Sequence, residues 1–493
     1  MGRPLRNDAN DSAKYLGPDV SVVPSVTDET SRLRGRIRYR EFFALAFGTI
    51  VGSGWLILLG GWLGAAAPGG SIVGFLLGGL VVCLAAGCFA ELASRFPRTG
   101  ADFLYALSTI GESPAFMIGW FLLLYLVSMA IFEGLALSII FQTLFPIAKP
   151  IALYVVFGTP VTLVQAALGV AGASLILRLN YKGIDSAAQT QVGLTYCLLI
   201  VAGLVLVMSW HHGSVSNALP LFTPVQNQPW WLGSAWIFAG CAYLLNGFQA
   251  SAMAIEERDP SVSVGGIALV TVVAVASAVI FYCLVVLCSS SAIPWRRIAD
   301  AKIAMVEVSR SLPGGKFWTF ILLFVGGLSV VKTWNGVSIM AARLMVAMAR
   351  ARFLPGRFAL TNSETGVPRT AVLAVYCMNV AGLFLGQGAI EPLLSMCSMA
   401  LTPTLTLYIY MVFRARRADG GSRSAFALPG GNYLLAIGAT GTCAMGLAAF
   451  SIPLMRSGPP IDLYLFGAWG LLGVAAWNGI RWRMARTFRA NDP

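Results

Sequence analysis

Apolar stretches of roughly twenty residues recur along almost the whole chain, and no other feature constrains the fold as strongly. In hydrocarbon every backbone polar group must be satisfied within the protein, so that only helices and closed barrels can cross a bilayer. These stretches are too long and too continuous for barrel strands. Only 11% of the 493 residues are charged, against about a quarter in soluble domains. The sequence therefore predicts an all-α integral membrane protein.

The apolar stretches are separated by segments that are charged or rich in Pro and Gly, and these segments define the predicted helix ends. We predict about twelve transmembrane helices. They cover residues 40–64, 71–94, 114–145, 151–178, 186–210, 231–256, 264–292, 317–347, 368–387, 390–413, 432–453 and 461–481. Polar tails flank them: a basic N-terminal tail at 1–39, expected to be disordered, and a C-terminal tail at 482–493.

The basic residues predict the orientation of these helices. The formal net charge of +13 could suggest nucleic acid as a partner, but the arginines concentrate in short segments between apolar stretches. In membrane proteins such segments lie mostly in the cytoplasm. If the basic N-terminal tail is cytoplasmic, the same side receives most other basic residues: Arg95, Arg98, Arg178, Lys182, Arg258, Arg343, Arg350, Arg352, Arg357, Arg369, Arg414, Arg416, Arg417, Arg423, Arg481, Arg483, Arg486 and Arg489. Both termini are therefore predicted to be cytoplasmic, and no nucleic acid is expected.

Residue types that serve catalysis, metal binding and disulfide formation are scarce or unsuitably placed. All nine cysteines fall within apolar stretches, where thiols behave as small hydrophobic groups, and they show no metal-ligand spacing. The only histidines, His211 and His212, lie in a predicted loop, which argues against a histidine proton relay. We find no intramembrane cluster of His, Asp and Glu that suits an enzyme. No enzymatic activity, cofactor or metal is therefore expected.

Two of the predicted helices are interrupted in the middle by small and polar residues. The interruptions are at 48–55 (GTIVGSGW) in the first helix and at 240–247 (GCAYLLNG) in the sixth. Glycine lowers helix propensity by about 1 kcal/mol relative to alanine, and it lets backbone groups approach a ligand. Close packing of helices is an alternative explanation, because small residues are common at membrane helix interfaces.

The positions of the two interruptions favour a binding site. They open the first and the sixth helix, so that 40–210 and 231–413 would form two corresponding halves, as in transporters with inverted repeats. The N–H groups and positive dipole end of a half-helix attract a carboxylate. Free carbonyl groups of the second interruption can accept hydrogen bonds from an ammonium group. One zwitterion could therefore bind the N–H groups of one interruption and the carbonyl groups of the other.

Five motifs in order along the chain resemble the amino acid-polyamine-organocation (APC) superfamily, and within it the amino acid permeases. The first two are the GSG at 52–54 and ELASRFPRTG at 91–100. The third is GFQ at 247–249 followed by EERDP at 256–260. The last two are TWN at 333–335, followed by AAR at 341–343 and LP at 354–355, and then GVP at 366–368. The resemblance extends from about residue 38 to the C-terminus.

This resemblance implies a fold of two inverted repeats of five helices, two further helices and transport by alternating access. It also implies substrate-binding residues in the first interruption. Ser53 and the N–H groups of Gly52 and Gly54 would hold a substrate carboxylate. The carbonyl group of Ile50 would accept from the substrate amino group.

The second interruption would complete this site. Tyr243, Asn246 and the adjacent Gly247 lie in it, and the first two would offer carbonyl groups to the amino group. Tyr243 also occupies the position of an aromatic gate in the family. The alternative is a tyrosine that only packs.

The chain departs from the family pattern at positions that matter for coupling. Gln249 stands where many relatives have Glu, so a carboxylate switch is absent there. Leu198 stands where some proton-coupled relatives have a lysine that replaces a sodium ion. Lys332 lies just before the TWN motif that includes Asn335, and by alignment it falls near the same pocket. An ionisable group at that depth is costly unless it is paired or neutral, so Lys332 is a coupling candidate. It either exchanges a proton or serves as a fixed cation.

Glu133 is the only acid deep in the third predicted helix. Three alternatives are open: it partners Lys332, it selects a cationic group of the substrate, or it lies near the surface.

The predicted function is secondary transport of an amino acid or related amine across a plasma membrane, by proton symport or by exchange. A bacterial inner membrane is expected, with the substrate, protons and lipid as partners. The alternative is a non-transporting sensor or subunit with the same fold. No cysteine lies in the turn at 146–150, so no disulfide-linked ancillary chain is expected.

Overall fold

The computed structural model describes residues 37–96, 101–146, 150–182, 187–223, 229–255, 258–362, 366–418, 424–455 and 458–491. It is mostly helical, with 82% of its residues in helices. The helices are α1 (Tyr39–Ile50), α2 (Gly54–Arg95), α3 (Ala101–Thr109), α4 (Glu112–Leu144), α5 (Leu163–Lys182), α6 (Ala187–His212), α7 (Trp230–Leu244), α8 (Gln249–Met253), α9 (Val264–Ala292), α10 (Trp295–Ala299), α11 (Ala304–Ser311), α12 (Gly315–Arg350), α13 (Arg369–Leu383), α14 (Ile390–Ala418), α15 (Gly431–Met455) and α16 (Ile461–Asn491). The predicted tail up to residue 36, and the motif residues at 97–100 and 256–257, lie outside the described residues.

Within the described ranges, nine helices are long and apolar enough to cross a membrane. The buried share of their apolar windows differs widely, from 72% in α4 and α14 to 6% in α16. The helix α4 therefore lies inside the bundle, whereas α16 lies at its periphery. Around α4 and α14, the core is formed by α2 packed on α7 and α9, and by α12 packed on α4. An all-α membrane protein is thus confirmed at the level of class.

The predicted loop between the first two spans is a kink instead. The helix α2 continues from Gly54 to Arg95, and its direction changes at Ala67, which has φ 56°, and Pro68. Proline lacks the N–H that would continue the helical hydrogen bonding. The hydroxyl group of Ser71 lies 2.7 Å from the Ala67 carbonyl oxygen and 3.0 Å from that of Trp62, so that it satisfies carbonyl groups freed by the kink.

The prediction of a helix from residue 151 was wrong over 151–162. Residues there form an antiparallel hairpin of β1 (Ala152–Val156) and β2 (Thr159–Thr162), and α5 begins only at Leu163. Phe157 and Gly158 have φ 48° and 74°, the positive pair that suits a two-residue hairpin turn. The β-branched and aromatic residues of this segment favour strands, a signal that apolarity alone concealed.

Candidate functional site

The first helix break is at residues 51–53, between the end of α1 at Ile50 and the start of α2 at Gly54. The Val51 N–H donates to the Phe47 carbonyl oxygen at 2.7 Å and ends the helical pattern. The N–H groups of Gly52 and Ser53 have no backbone acceptor within the described residues. They lie at the N-terminus of α2, where the helix dipole is positive. This geometry suits an anionic group.

The second helix break is at residues 245–248, between α7 and α8. Gly247 has φ 124°, a conformation that side chains other than glycine rarely adopt. Asn246 and Gln249 close this break locally: the Gln249 amide nitrogen donates to the Asn246 side-chain oxygen at 2.7 Å, and the Gly247 N–H donates to the Gln249 side-chain oxygen at 3.0 Å. All residues of both breaks are buried.

The two breaks are in contact. A Cβ atom added to Gly247 would lie 2.9 Å from the backbone carbon and 3.0 Å from the carbonyl oxygen of Thr49. Tyr282 of α9 joins them from the side, because its hydroxyl group lies 3.3 Å from the Ile50 carbonyl oxygen and 3.5 Å from that of Leu244. Tyr282 is not among the site residues predicted from the sequence. A lone tyrosine at mid-depth in an apolar helix was the available signal, since a buried hydroxyl group needs a partner.

Glu133 of α4 reaches the first break. Its carboxyl group accepts a hydrogen bond from the Ser53 hydroxyl at 3.0 Å, and only 1% of the residue is exposed. A Cβ on Gly52 would meet the second Glu133 carboxyl oxygen at 3.2 Å and the Thr333 hydroxyl at 3.1 Å. The protein's own carboxyl group thus bonds the Ser53 hydroxyl, one of the groups predicted to hold a substrate carboxylate. The burial of Glu133 leaves no support for the alternative of a surface position.

The side chain of Lys332 extends from α12 toward α6. Its ammonium group donates to the Thr195 hydroxyl at 3.2 Å, and it is buried. Thr195 also packs on Gly48 of α1, where an added Cβ would lie 2.2 Å from its hydroxyl oxygen. Lys332 and Glu133 interact electrostatically, although no direct ion pair joins them among the described residues. Leu198, at the position of the missing lysine, is buried in the core.

Two other predicted residues have different surroundings. The side-chain oxygen of Asn335 accepts a hydrogen bond from the Asn180 amide of α5 at 3.1 Å. This bond is directed toward α5 and not toward either break. Tyr243 lies in the last turn of α7 and is 6% exposed, buried among apolar residues of the main core.

Comparison with known proteins assigns the chain to a family. A family described as amino acid permease matches residues 37–471. The methylthioribose transporter of Bacillus subtilis is 25% identical over 398 residues, covering 78% of this chain and 82% of the relative. Cationic amino acid transporter 2 of Arabidopsis thaliana, a vacuolar protein, is 26% identical over 389 residues, covering 74% of this chain and 59% of the relative.

A third relative is the putative histidine permease of Bacillus subtilis. It is 23% identical over 385 residues, covering 74% of this chain and 75% of the relative. The family match confirms the resemblance drawn from the sequence motifs.

Proposed function

Because the chain belongs to the amino acid permease family, we propose that it is a secondary transporter of amino acids or related amines that works by alternating access. The observation that carries the proposal is the contact of two broken helices around Gly247 and Thr49, bridged by Tyr282. Broken helices meeting at mid-depth are the usual substrate sites of transporters with repeated halves.

The proposed transmembrane topology has twelve spans in two inverted repeats of five, followed by two helices. In it, α1 and the first part of α2 form one span, and α7 with α8 forms another. The remaining spans are the second part of α2 together with α4, α5, α6, α9, α12, α13, α14, α15 and α16. The positive-inside rule places both termini in the cytoplasm, and we assign the protein to a plasma membrane, as in the bacterial inner membrane.

In the proposed complex, the substrate carboxylate lies on the N–H groups of Gly52, Ser53 and Gly54. The carbonyl groups of Ile50, Tyr243 and Asn246 receive the substrate amino group. The Glu133 carboxyl group bonds the Ser53 hydroxyl beside this position, and two carboxylates at one helix end repel each other. Binding of an acid therefore requires that Glu133 be protonated or withdraw from Ser53, which ties substrate binding to a proton.

Lys332 is the second coupling residue of the proposal. It is held by Thr195 near α1 and α6, and it interacts electrostatically with Glu133. A lysine that loses its proton would drive symport, whereas a permanently charged lysine would act as a fixed cation and favour exchange of one solute for another. Gln249 takes no charged part in this scheme.

Uptake into proteoliposomes tests the proposal. The purified protein is reconstituted and offered radiolabelled L-arginine, L-histidine, L-serine, L-glutamate, putrescine and methylthioribose, with and without an inward proton gradient. We expect saturable uptake or exchange of one chemical class. Absence of both uptake and exchange, with correctly folded protein, would favour a non-transporting sensor or subunit.

A variant of Glu133 sharpens this test. Glu133→Gln keeps an acceptor for Ser53 but removes the charge, so it should bind carboxylate-bearing substrates without the pH dependence of the unmodified protein. Gln142→Ala is the matched control, because Gln142 lies on the same helix and, among the described residues, donates to the Ser138 carbonyl oxygen of that helix. An unchanged pH dependence in Glu133→Gln would remove Glu133 from the coupling mechanism.

A further inference from the structure

The short helix α3, which is not one of the spanning helices, carries a buried acid. Asp102 is only 4% exposed, and its carboxyl group accepts a hydrogen bond from the Tyr408 hydroxyl of α14. None of the ion pairs formed by the described residues includes Asp102. A buried carboxyl group without a cation is costly in its ionised form. No role described above requires it.

Hydrogen bonds connect this acid to the second helix break. The Gln249 amide nitrogen lies 3.3 Å from the Tyr408 hydroxyl oxygen and donates to Asn246 at 2.7 Å, inside the break. The Gly247 N–H donates to the same Gln249 side chain. Asp102 therefore terminates a path that runs from α3 through α14 to the N-terminus of α8.

An aromatic cluster closes the same region to water. The ring of Phe89 on α2 packs on Tyr105 of α3, Phe248 of the break and Tyr408, with ring centroids 5.6, 5.3 and 5.4 Å apart. Opening a passage between the breaks and this end of the bundle would separate these rings. The Asp102–Tyr408 hydrogen bond lies beside them and would also part.

Among the residues that the structure describes, the titratable groups that interact with Asp102 are tyrosines. Tyr408, Tyr105 and Tyr125 interact with its carboxyl group electrostatically. The elements packed on α3 also carry these charged residues, none of which pairs with Asp102: Glu91, Arg95, Glu112, Glu133, Lys316, Lys332, Arg343, Arg350, Glu391, Arg414, Arg416 and Arg417. Burial raises the pKa of Asp102 to about 6, and the hydrogen bonds from Tyr408 and Gln249 oppose this rise.

We propose that Asp102 is a proton-sensitive latch on the gate at the α3 end of the bundle, acting on α8 through Tyr408 and Gln249. Protonation leaves one carboxyl oxygen free to accept from Tyr408, so the closed gate keeps its hydrogen bonds and loses a buried charge. Ionisation favours hydration of the carboxylate and therefore opening. Asp102 of α3 thus provides a titratable carboxyl group next to Gln249, the position at which many relatives have Glu. This inference rests on the proposed transport function.

Thermal unfolding of the detergent-purified protein between pH 4 and pH 8 is the first test, because it needs no substrate. Where an acid has a higher pKa in the folded than in the unfolded protein, the free energy of unfolding falls as the pH rises between the two pKa values. Relative to Asp102→Asn, the unmodified protein should therefore melt at a similar temperature at pH 4 and at a lower one at pH 7.5. Asp102→Glu, which keeps a carboxyl group, should keep the lower melting temperature at pH 7.5. Asp462→Asn, at a buried acid held by Ser395 of α14, controls for the replacement of a buried carboxyl group by an amide. A pH-independent difference between Asp102→Asn and the unmodified protein would overturn the proposal.

Exchange across proteoliposomes tests the link to the gate. With equal pH on both sides, the exchange of L-arginine, or of L-serine, should rise with pH by up to about tenfold per unit below a midpoint, the limit for one titrating group. Asp102→Asn should flatten that rise. Tyr408→Phe should move the midpoint upward, because the carboxylate loses a hydrogen-bond donor.

A pH profile unchanged by both substitutions would overturn the latch while leaving transport intact. Failure of the unmodified protein to exchange either amino acid would bear on the proposed substrates only, and the unfolding measurement would then decide.

Discussion

The two helix breaks are satisfied in different ways. The break at 51–53 is contacted by Glu133 of α4, which bonds Ser53, and Lys332 of α12 interacts electrostatically with Glu133. The break at 245–248 is closed by its own neighbours, Asn246 and Gln249, which are uncharged. The first break therefore contacts an acidic side chain directly, whereas the second is held by backbone conformation and local hydrogen bonds, and an acid reaches it only through Gln249 and Tyr408. Substitutions should accordingly act through electrostatics at one break and through geometry at the other.

The largest effect is expected at the second break. Gly247→Ala places a Cβ 2.9 Å from the Thr49 backbone in a residue with φ 124°. Backbone strain of this kind costs about 1–3 kcal/mol before the clash is added. We expect little folded protein and no transport, measured by yield and thermal midpoint. Gly54→Ala is the control, since its Cβ would approach no atom closer than 3.6 Å. Normal stability of Gly247→Ala would mean that the breaks do not touch in this way.

At the first break, Lys332→Met should abolish or uncouple transport while the protein stays folded. The substitution keeps much of the side-chain volume but removes the charge that interacts with Glu133. Uptake driven by a pH gradient should fall more than about tenfold, or 1.4 kcal/mol. Lys316→Met, at the exposed start of the same helix, controls for the loss of a lysine. Proton-driven uptake at the unmodified rate would exclude Lys332 from coupling.

Ser53→Ala tests the first break without changing its charge. The hydroxyl group that now bonds Glu133 is lost, and a hydrogen bond to a charged group contributes about 1.5–3 kcal/mol. We expect substrate affinity to fall by about tenfold, measured by thermal stabilisation with ligand, and the ligand-free protein to unfold at a lower temperature because the Glu133 carboxyl group loses its donor. Ser138→Ala removes an equally buried hydroxyl that, within the described part of the chain, bonds the Leu135 carbonyl oxygen of its own helix, and this variant should bind substrate normally. Equal affinities in the two variants would contradict a binding role for Ser53.

The smallest effect is expected for Tyr282→Phe, which loosens the bridge between the breaks. Hydrogen bonds between membrane helices contribute about 0.6 kcal/mol on average. A change of about two- to threefold in transport rate should follow, because the Ile50 and Leu244 carbonyl groups lose their shared donor. Tyr376→Phe, whose hydroxyl bonds Ser174 away from the breaks, serves as the comparison. An effect as small as that of Tyr376→Phe would show that the bridge is dispensable.

The positions of both breaks could be predicted from the sequence, because glycine and polar residues in mid-span weaken a helix locally. The direction change after the first span was also visible at Pro68, although the helix continues through it. The hairpin at 152–162 was missed, because apolar strands and apolar helices look alike when only hydropathy is considered.

The polar partners were harder to predict. Glu133 and Ser53 are 80 residues apart, and Lys332 and Thr195 are 137 apart, so only the packing of the helices brings each pair together. Asn335 was assigned to the site from a motif, yet it bonds Asn180 on the side toward α5. Asp102 lies in a segment between spans, where a buried acid is not expected from composition.

Ligand binding to Gly54→Phe most directly tests whether the paired breaks form the substrate site. A phenyl group at residue 54 would fill the space beside Leu58 and Phe132 at the N-terminus of α2, while Gly54→Ala fits there. Thermal stabilisation is measured for both variants and the unmodified protein with the amino acid or amine that is transported. We predict stabilisation of the unmodified protein and Gly54→Ala, and none of folded Gly54→Phe. Undiminished stabilisation of Gly54→Phe would place the substrate elsewhere.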